Sequence, residues 1–199
     1  MKLALAENSL LPLAKVKKKA QVVTEQFLQA LPKLCLQCNQ DAQALYKNDV
    51  ACESVLSAVI AYPGLYALNV YRCAHIFLNL GAGLLARVMT EYAHRQTAID
   101  IHPGAVIGEE CVIDHGHGVV VGKTAIIGDR VTFYHGVTLG ARGSTHSHIA
   151  KNEPRHPIIE DDVILFANAT VLGRVTVGAK SVIGASVLIR QDVPEKSGR

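Results

Sequence analysis

The sequence predicts an α+β chain: an N-terminal α-helical domain followed by a left-handed parallel β-helix of hexapeptide repeats. Three observations carry this expectation. Aliphatic residues recur at every sixth position from Ile101 onward, small or β-branched residues follow four positions later, and the first 97 residues show helical spacing instead. Neither the helical period of about 3.6 nor simple alternation gives a step of six. A hexapeptide repeat marks a parallel β-helix. Each hexad supplies one short strand and one corner, three hexads close a triangular coil, and stacked coils bury a column of aliphatic side chains.

In the N-terminal part, Val16, Ala20, Val23, Phe27 and Ala30 put a helix over Lys15 to Leu31, expected to stop near Pro32. Asp41 to Tyr46 reads as a short helix. Glu53 to Ala61 is another, ending before Pro63-Gly64. Leu65 to Leu80 is a strong helix closed by Gly81, and Leu84 to Arg95 follows. The chain passes to the β-helix near Ile99, which divides it into a helical domain (1–97), a β-helix domain (98–194) and a short tail (195–199). The hexads start at Ile101, Ile107 and Ile113. They resume after a two-residue slip at Val121, Ile127, Phe133 and Leu139, and again after a longer break at Ile159, Leu165, Val171, Val177, Ile183 and Ile189. The slip falls in Asp114–Gly118. The break, about 141–157, is polar and contains His146 and His148, and an insertion at one corner of a regular coil reads as a functional arm or loop.

Bulk properties narrow the function. Hydrophobic residues make up 49% and charged residues 19% of 199, which suits a folded core rather than disorder. The net charge of +3 draws on Lys15, Lys17, Lys18 and Lys19, a solvated helix face more than a nucleic-acid surface. Tryptophan is absent and aromatics are 5%, so stacking platforms for bases are scarce. No apolar run has the length of a membrane span and the N-terminus lacks a signal-peptide layout, so the expectation is a cytoplasmic protein without nucleic-acid or membrane partners. Five cysteines, an odd number, suit reduced thiols. The lone Cys35-x-x-Cys38 reads as helix packing, and Cys111 as a buried small hydrophobe.

The chemistry concentrates in Ile99-Asp100-Ile101-His102-Pro103 and Ile113-Asp114-His115-Gly116-His117-Gly118. Asp100 and His115 are fifteen residues apart, close to one coil, so they are expected side by side on one corner, one strand spacing of about 4.8 Å apart. A carboxylate beside an imidazole sets its tautomer and stabilises the imidazolium, which makes a general base for a hydroxyl.

These segments resemble the serine O-acetyltransferases of cysteine biosynthesis. The match rests on Tyr62-Pro-Gly-Leu-Tyr-Ala-Leu-Asn-Val-Tyr-Arg72, Asp100-Ile-His-Pro-Gly-Ala-Val-Ile-Gly108, Ile113-Asp-His-Gly-His-Gly-Val-Val-Val-Gly122, Val137-Thr-Leu-Gly140 and Arg155-His-Pro157, and covers about residues 41 to 194. The resemblance implies that His115 deprotonates the serine hydroxyl, that Asp100 orients it, and that Asp114, Arg155, His156 and Asp49 bind serine. It also implies acetyl-CoA as co-substrate in a groove between neighbouring subunits of a homotrimer, or of a dimer of trimers, with the pantetheine arm near Gly140, Ala167 and Ala185. Attack on the thioester is direct, no acyl-enzyme forms, and no metal is expected. The sequence departs from the family at His117, at Lys123, in Phe166-Ala167-Asn168-Ala169 where Gly-Ala-Gly-Ala is usual, in the longer loop, and in a C-terminal end without the usual tail or final Ile. That end leads us to expect weak inhibition by cysteine and no complex with O-acetylserine sulfhydrylase.

Alternative readings remain open at this point. Asp49 also fits an ordinary helix N-cap, His146 and His148 a solvated loop, His75 and His94 a helix surface, and His102 and His135 the lining of a groove. The acceptor is alternatively homoserine, a sugar or another small hydroxyl. A metal hydratase like the γ-class carbonic anhydrases would need three converging imidazoles from among His115, His135, His146, His148 and His156. A non-catalytic binding protein would leave the Asp–His pair unexplained.

Overall fold

The computed structural model describes residues 12–142 and 153–199. Four helices precede thirteen short strands. The helices are α1 (Leu13–Asn48), α2 (Val55–Ala61), α3 (Pro63–Asn79) and α4 (Gly83–Thr97). The strands form three parallel sheets. The first holds β1 (Asp100–Ile101), β4 (Val120–Val121), β7 (Thr138–Gly140), β10 (Thr170–Leu172) and β13 (Leu188–Ile189). The second holds β2 (Val106–Ile107), β5 (Ile126–Ile127), β8 (Ile158–Ile159) and β11 (Thr176–Val177). The third holds β3 (Val112–Ile113), β6 (Thr132–Phe133), β9 (Ile164–Leu165) and β12 (Val182–Ile183). Each strand pairs with the strand three later in the chain, which is the topology of a three-sided left-handed parallel β-helix.

The hexad positions point inward as the period of six demands. Ile101, Val121, Leu139, Val171 and Ile189 stack along the first sheet, and Ile113, Phe133, Leu165 and Ile183 along the third, all buried. Phe133 is fully enclosed, so the single aromatic in the repeat fills the prism rather than interrupting it. Ser181 is also fully buried. Its hydroxyl donates to the Pro194 carbonyl and accepts from the Ser197 amide, which satisfies the polar atom.

Two edges of the prism turn through left-handed backbone at every rung. Between the third and first sheets these residues are Ala98, Gly118, Gly136, Asn168 and Ser186. Between the second and third sheets they are Glu110, Arg130, Asp162, Lys180 and Lys196. Among the described residues the edge between the first and second sheets has a single left-handed turn residue, Gly173, and the insertion leaves there, between Leu139 and Ile159.

The helices close the first coil. Burying Ala67, Leu68 and Tyr71 extends the prism's core into α3. The Tyr71 hydroxyl donates to the Ala105 carbonyl, and Arg72 donates to the Gly108 carbonyl at 2.7 Å. Arg72 is held by the fully buried Asp41 at 2.5 Å, and Asp41 also accepts the Cys111 amide. A solenoid's open end exposes unpaired backbone, and these side chains satisfy it.

One expectation fails here. α1 does not stop near Pro32 but runs through it and absorbs the short helix expected at Asp41–Tyr46. Proline removes one backbone hydrogen bond, but contacts on both sides keep the helix continuous: Phe27 stacks on Phe77 at 4.4 Å, Leu34 is buried, and Asp41 binds Arg72.

Candidate active site

The candidate residues lie on two different edges of the prism. On the edge between the third and first sheets, the two-residue slip becomes an outward bulge. Ile101 stacks on Val121, a step of twenty residues, where Val121 to Leu139 takes eighteen. The extra length carries His115 and Gly116, both left-handed, and Gly116 packs on the Ile99 side chain. His115 stands out from the bulge with 71% of its side chain exposed. Its Nδ1 lies 3.9 Å from Asp114, and its ring sits edge-on to His135 with centroids 5.9 Å apart.

Asp49 approaches the same edge from the helices. Asn48 at the end of α1 donates to the Thr132 hydroxyl at 3.0 Å, which anchors the helix end to the third sheet. Asp49 accepts the Tyr62 hydroxyl at 2.6 Å and the Ala51 amide at 2.8 Å. Those hydrogen bonds, Tyr62 first, hold its carboxyl below the usual carboxylate range, and the nearby His115 adds to the effect. Asp49 is therefore not a helix N-cap. It follows the last turn of α1, and the N-cap of α2 is Ser54, which forms a capping box with Ser57.

The structure does not pair Asp100 with His115. Asp100 stacks on Val120, and its carboxylate faces Arg87 of α4 at 3.7 Å. The coil here is twenty residues long, so a fifteen-residue offset stops short of a full turn and leaves His115 in the bulge. Arg87 also binds Glu91, and Glu91, His94 and Asp100 could converge on a metal ion. Arg87 already supplies positive charge to two of those three groups. Among the described residues this set contains one imidazole, whereas a γ-class hydratase site needs three.

Arg155 and His156 lie on the other edge, between the first and second sheets, where the chain returns from the insertion. Thr124 organises both. Its hydroxyl accepts the Arg155 and His156 amides at 2.9 and 3.2 Å, and lies 2.8 Å from His156 Nδ1. The Thr124 amide donates to the same Nδ1 at 3.1 Å, which places the ring proton on Nε2. Arg174 bridges the Thr124 and His156 carbonyls. His156 is buried, and a methyl group on Gly122 would overlap its ring. Burial first, then Arg155 and Arg174, lowers its pKa and keeps it neutral. His102 on the same edge is lowered to about 4 by burial, with Arg87, Lys123, His156 and Arg155 adding.

Ala167 and Ala185 sit one rung apart on the His115 edge, whereas Gly140 lies across the first sheet, opposite Leu172. Two departures have structural reasons. Phe166 stacks on Tyr134 at 5.1 Å, and Asn168 takes the left-handed corner that glycine would fill, which asparagine tolerates. His146 and His148 lie outside the described residues. Sequence reasoning missed Thr124, Arg174 and Arg87 as supports. Nothing in a linear pattern singles out a threonine 31 residues from its partner. Tyr62 stood in a motif but without a role.

The bacterial transferase hexapeptide (six repeats) family matches residues 156–191. A serine acetyltransferase of Synechococcus elongatus is 46% identical over 181 residues, which span 89% of this chain and 57% of that protein. One from Bacillus licheniformis is 40% identical over 158 residues, 79% of this chain and 70% of that relative. The structure of Entamoeba histolytica serine acetyltransferase 1 with L-cysteine superposes with a TM-score of 0.88 at 37% identity, covering 92% of this chain and 69% of that one. The soybean enzyme complexed with serine gives 0.80 at 31%, covering 99% and 76%. The chain thus spans little more than half of the first of these relatives. Because the match to the Bacillus licheniformis relative is 40% identical and covers 70% of its length, the chain belongs to the serine acetyltransferase family.

Proposed function

We propose that the chain transfers an acetyl group from acetyl-CoA to the hydroxyl of L-serine in a site completed by a second copy of the chain. The observation that carries this reading is the division of the candidate residues. His115, Asp114 and Asp49 gather on one edge, and Arg155 and His156 on another. One prism cannot fold its own edges together. A closed three-fold ring sets the first edge of each copy against the second edge of the next. Gly140 and the Ala167–Ala185 pair, on opposite ends of the first sheet, would meet in the same way along the pantetheine arm.

In this site Asp49 and Asp114 receive the serine ammonium, and Arg155 with neutral His156 receives the carboxylate. His115 takes the hydroxyl proton as the serine oxygen attacks the thioester carbonyl. When the tetrahedral adduct collapses, the carbon–sulfur bond breaks and the imidazolium returns that proton to the CoA sulfur, giving O-acetylserine and free CoA. Asp100 stabilises the imidazolium once the exposed ring of His115 turns toward it. The soybean relative binds serine in its structure.

Thiol release from acetyl-CoA with serine, homoserine and a panel of sugars tests the acceptor. Serine is expected to turn over fastest, and faster release with homoserine would reassign it. Co-expressing His115→Ala with Arg155→Ala copies tests the shared site. In randomly mixed trimers about one site in four pairs an intact His115 with an intact Arg155 from its neighbour. Activity should recover toward that fraction. Mixed trimers as inactive as each parent would sink the shared site.

A further inference from the structure

We infer that Glu91, His94 and Asp100 form a binding site for a zinc ion, and that zinc held there inhibits acetyl transfer by taking Asp100 out of use. The inhibition rests on the proposed role of Asp100, whereas the binding does not. The three groups come from two elements. Glu91 and His94 stand three residues apart on α4 and so share one side of it, next to the face that buries Ala86, Thr90 and Ala93. The Ala98 turn, left-handed at φ 57° and closed by its amide on the His94 carbonyl at 2.7 Å, takes the chain off the helix. Asp100 follows in β1, where its amide donates to the Val119 carbonyl at 2.9 Å and fixes it on the first coil. One donor atom from each of the three side chains lies within 4.8 Å of the other two. Donors around a tetrahedral zinc are about 3.4 Å apart. A movement of about 1 Å therefore closes the site, and Asp100, Glu91 and His94, with side chains 29%, 35% and 42% exposed, are free to make it.

Arg87 now holds this position. It pairs with Glu91 and lies 3.7 Å from Asp100. It brings one positive charge to two carboxylates, whereas a dication brings two. Arg87 is itself partly exposed and can turn into water as the ion enters. The imidazole decides which dication binds. Magnesium and calcium take oxygen ligands. Imidazole suits the transition ions, and zinc accepts nitrogen and carboxylate oxygen together. Three protein ligands leave the fourth position to water. This zinc takes no part in the reaction. It engages the carboxylate that would stabilise the imidazolium of His115, so the base loses its counter-charge while the metal is bound.

Calorimetry with zinc chloride reads the site without catalysis. The wild-type chain should show one site that is lost, or at least about tenfold weaker, in Glu91→Gln, His94→Ala and Asp100→Asn, since even an outer-shell partner is worth that much. Zinc held by thiols such as Cys35 and Cys38 is common to all four proteins and cancels in the difference. Arg87→Gln removes the competing cation and should tighten the site by up to about fivefold, the worth of an exposed ion pair. Turnover is followed by the loss of thioester absorbance. Zinc that fills the site should lower kcat at least about tenfold, a modest share of what an orienting carboxylate contributes. Excess chelator should restore it, and His94→Ala should keep its zinc-free rate and resist the metal. Identical isotherms in the wild type and the three ligand variants, or magnesium binding as tightly as zinc, would overturn the site, and those isotherms decide it even if no acceptor turns over. Equal zinc inhibition of wild type and His94→Ala, or a filled site with full turnover, would overturn the inhibition.

Discussion

The two functional edges of the prism are built by different means. On the edge that carries His115, every rung has a left-handed residue at the same corner and the main chain sets the path: the amides of Gly118, Gly136, Asn168 and Ser186 donate to the carbonyls of Ala98, His117, His135 and Ala167. On the edge that carries Arg155 and His156, Gly173 alone is left-handed among the described residues, and side chains take over, with Thr124 and Arg174 tying together segments 31 to 50 residues apart. The difference shows where a solenoid can accept change. An edge fixed by its backbone tolerates a two-residue bulge and holds an exposed imidazole out from it. An edge fixed by side chains can release a long insertion and recapture the chain, provided that a few hydrogen bonds survive.

The largest expected effect breaks the first edge. His115→Ala should lower turnover at least about a hundredfold, the scale of general-base catalysis, while the circular dichroism spectrum stays unchanged. Near-normal turnover would remove His115 from the mechanism. Asp41→Ala touches neither edge, yet it leaves Arg72 buried without its partner. Breaking a buried ion pair costs about 3–5 kcal/mol, to be read in denaturant unfolding. Because α1 also places Asp49, the KM for serine should rise in parallel. A stability loss without any change at Asp49 would show that the helices serve the solenoid alone.

Thr124→Val probes the second edge. It preserves shape but strips the acceptor from the Arg155 and His156 amides, so a loss of about 1–3 kcal/mol is expected for the unsatisfied groups. Serine affinity should fall and the His115 edge should be undisturbed. The smallest effect is one of pH. His102 binds its proton more weakly when folded, near pH 4, than in the unfolded chain, near 6.5. Between those values the unfolded state holds more protons, so stability is fully present above about 6.5 and is lost as pH falls toward 4. His102→Asn should flatten that part of the stability profile, and an unchanged slope would place the titration elsewhere.

Much of the fold was legible in sequence because a period of six has one structural solution. Each inward position from Ile101 to Ile189 is buried, and the slip at 114–118 marks the bulge that presents His115. The helix through Pro32 was not legible, because the contacts that keep it continuous come from Phe77 and Arg72, 50 and 31 residues away from their partners. Asp100 facing Arg87 was equally hidden. Counting residues gives a position on the coil but not which way a side chain turns once a helix supplies a competing cation.

By itself, then, the chain's sequence determined the stacked coils, their inward column and the residue types that do acid–base chemistry, since local repetition and side-chain identity are properties of the linear chain. Only the tertiary structure decided that those residues divide between two edges and that Thr124 and Tyr62 hold them. The physical reason is that hydrogen bonds and charges act over a few ångströms in space. Which residues come within that range depends on how the coils stack and where the helices dock.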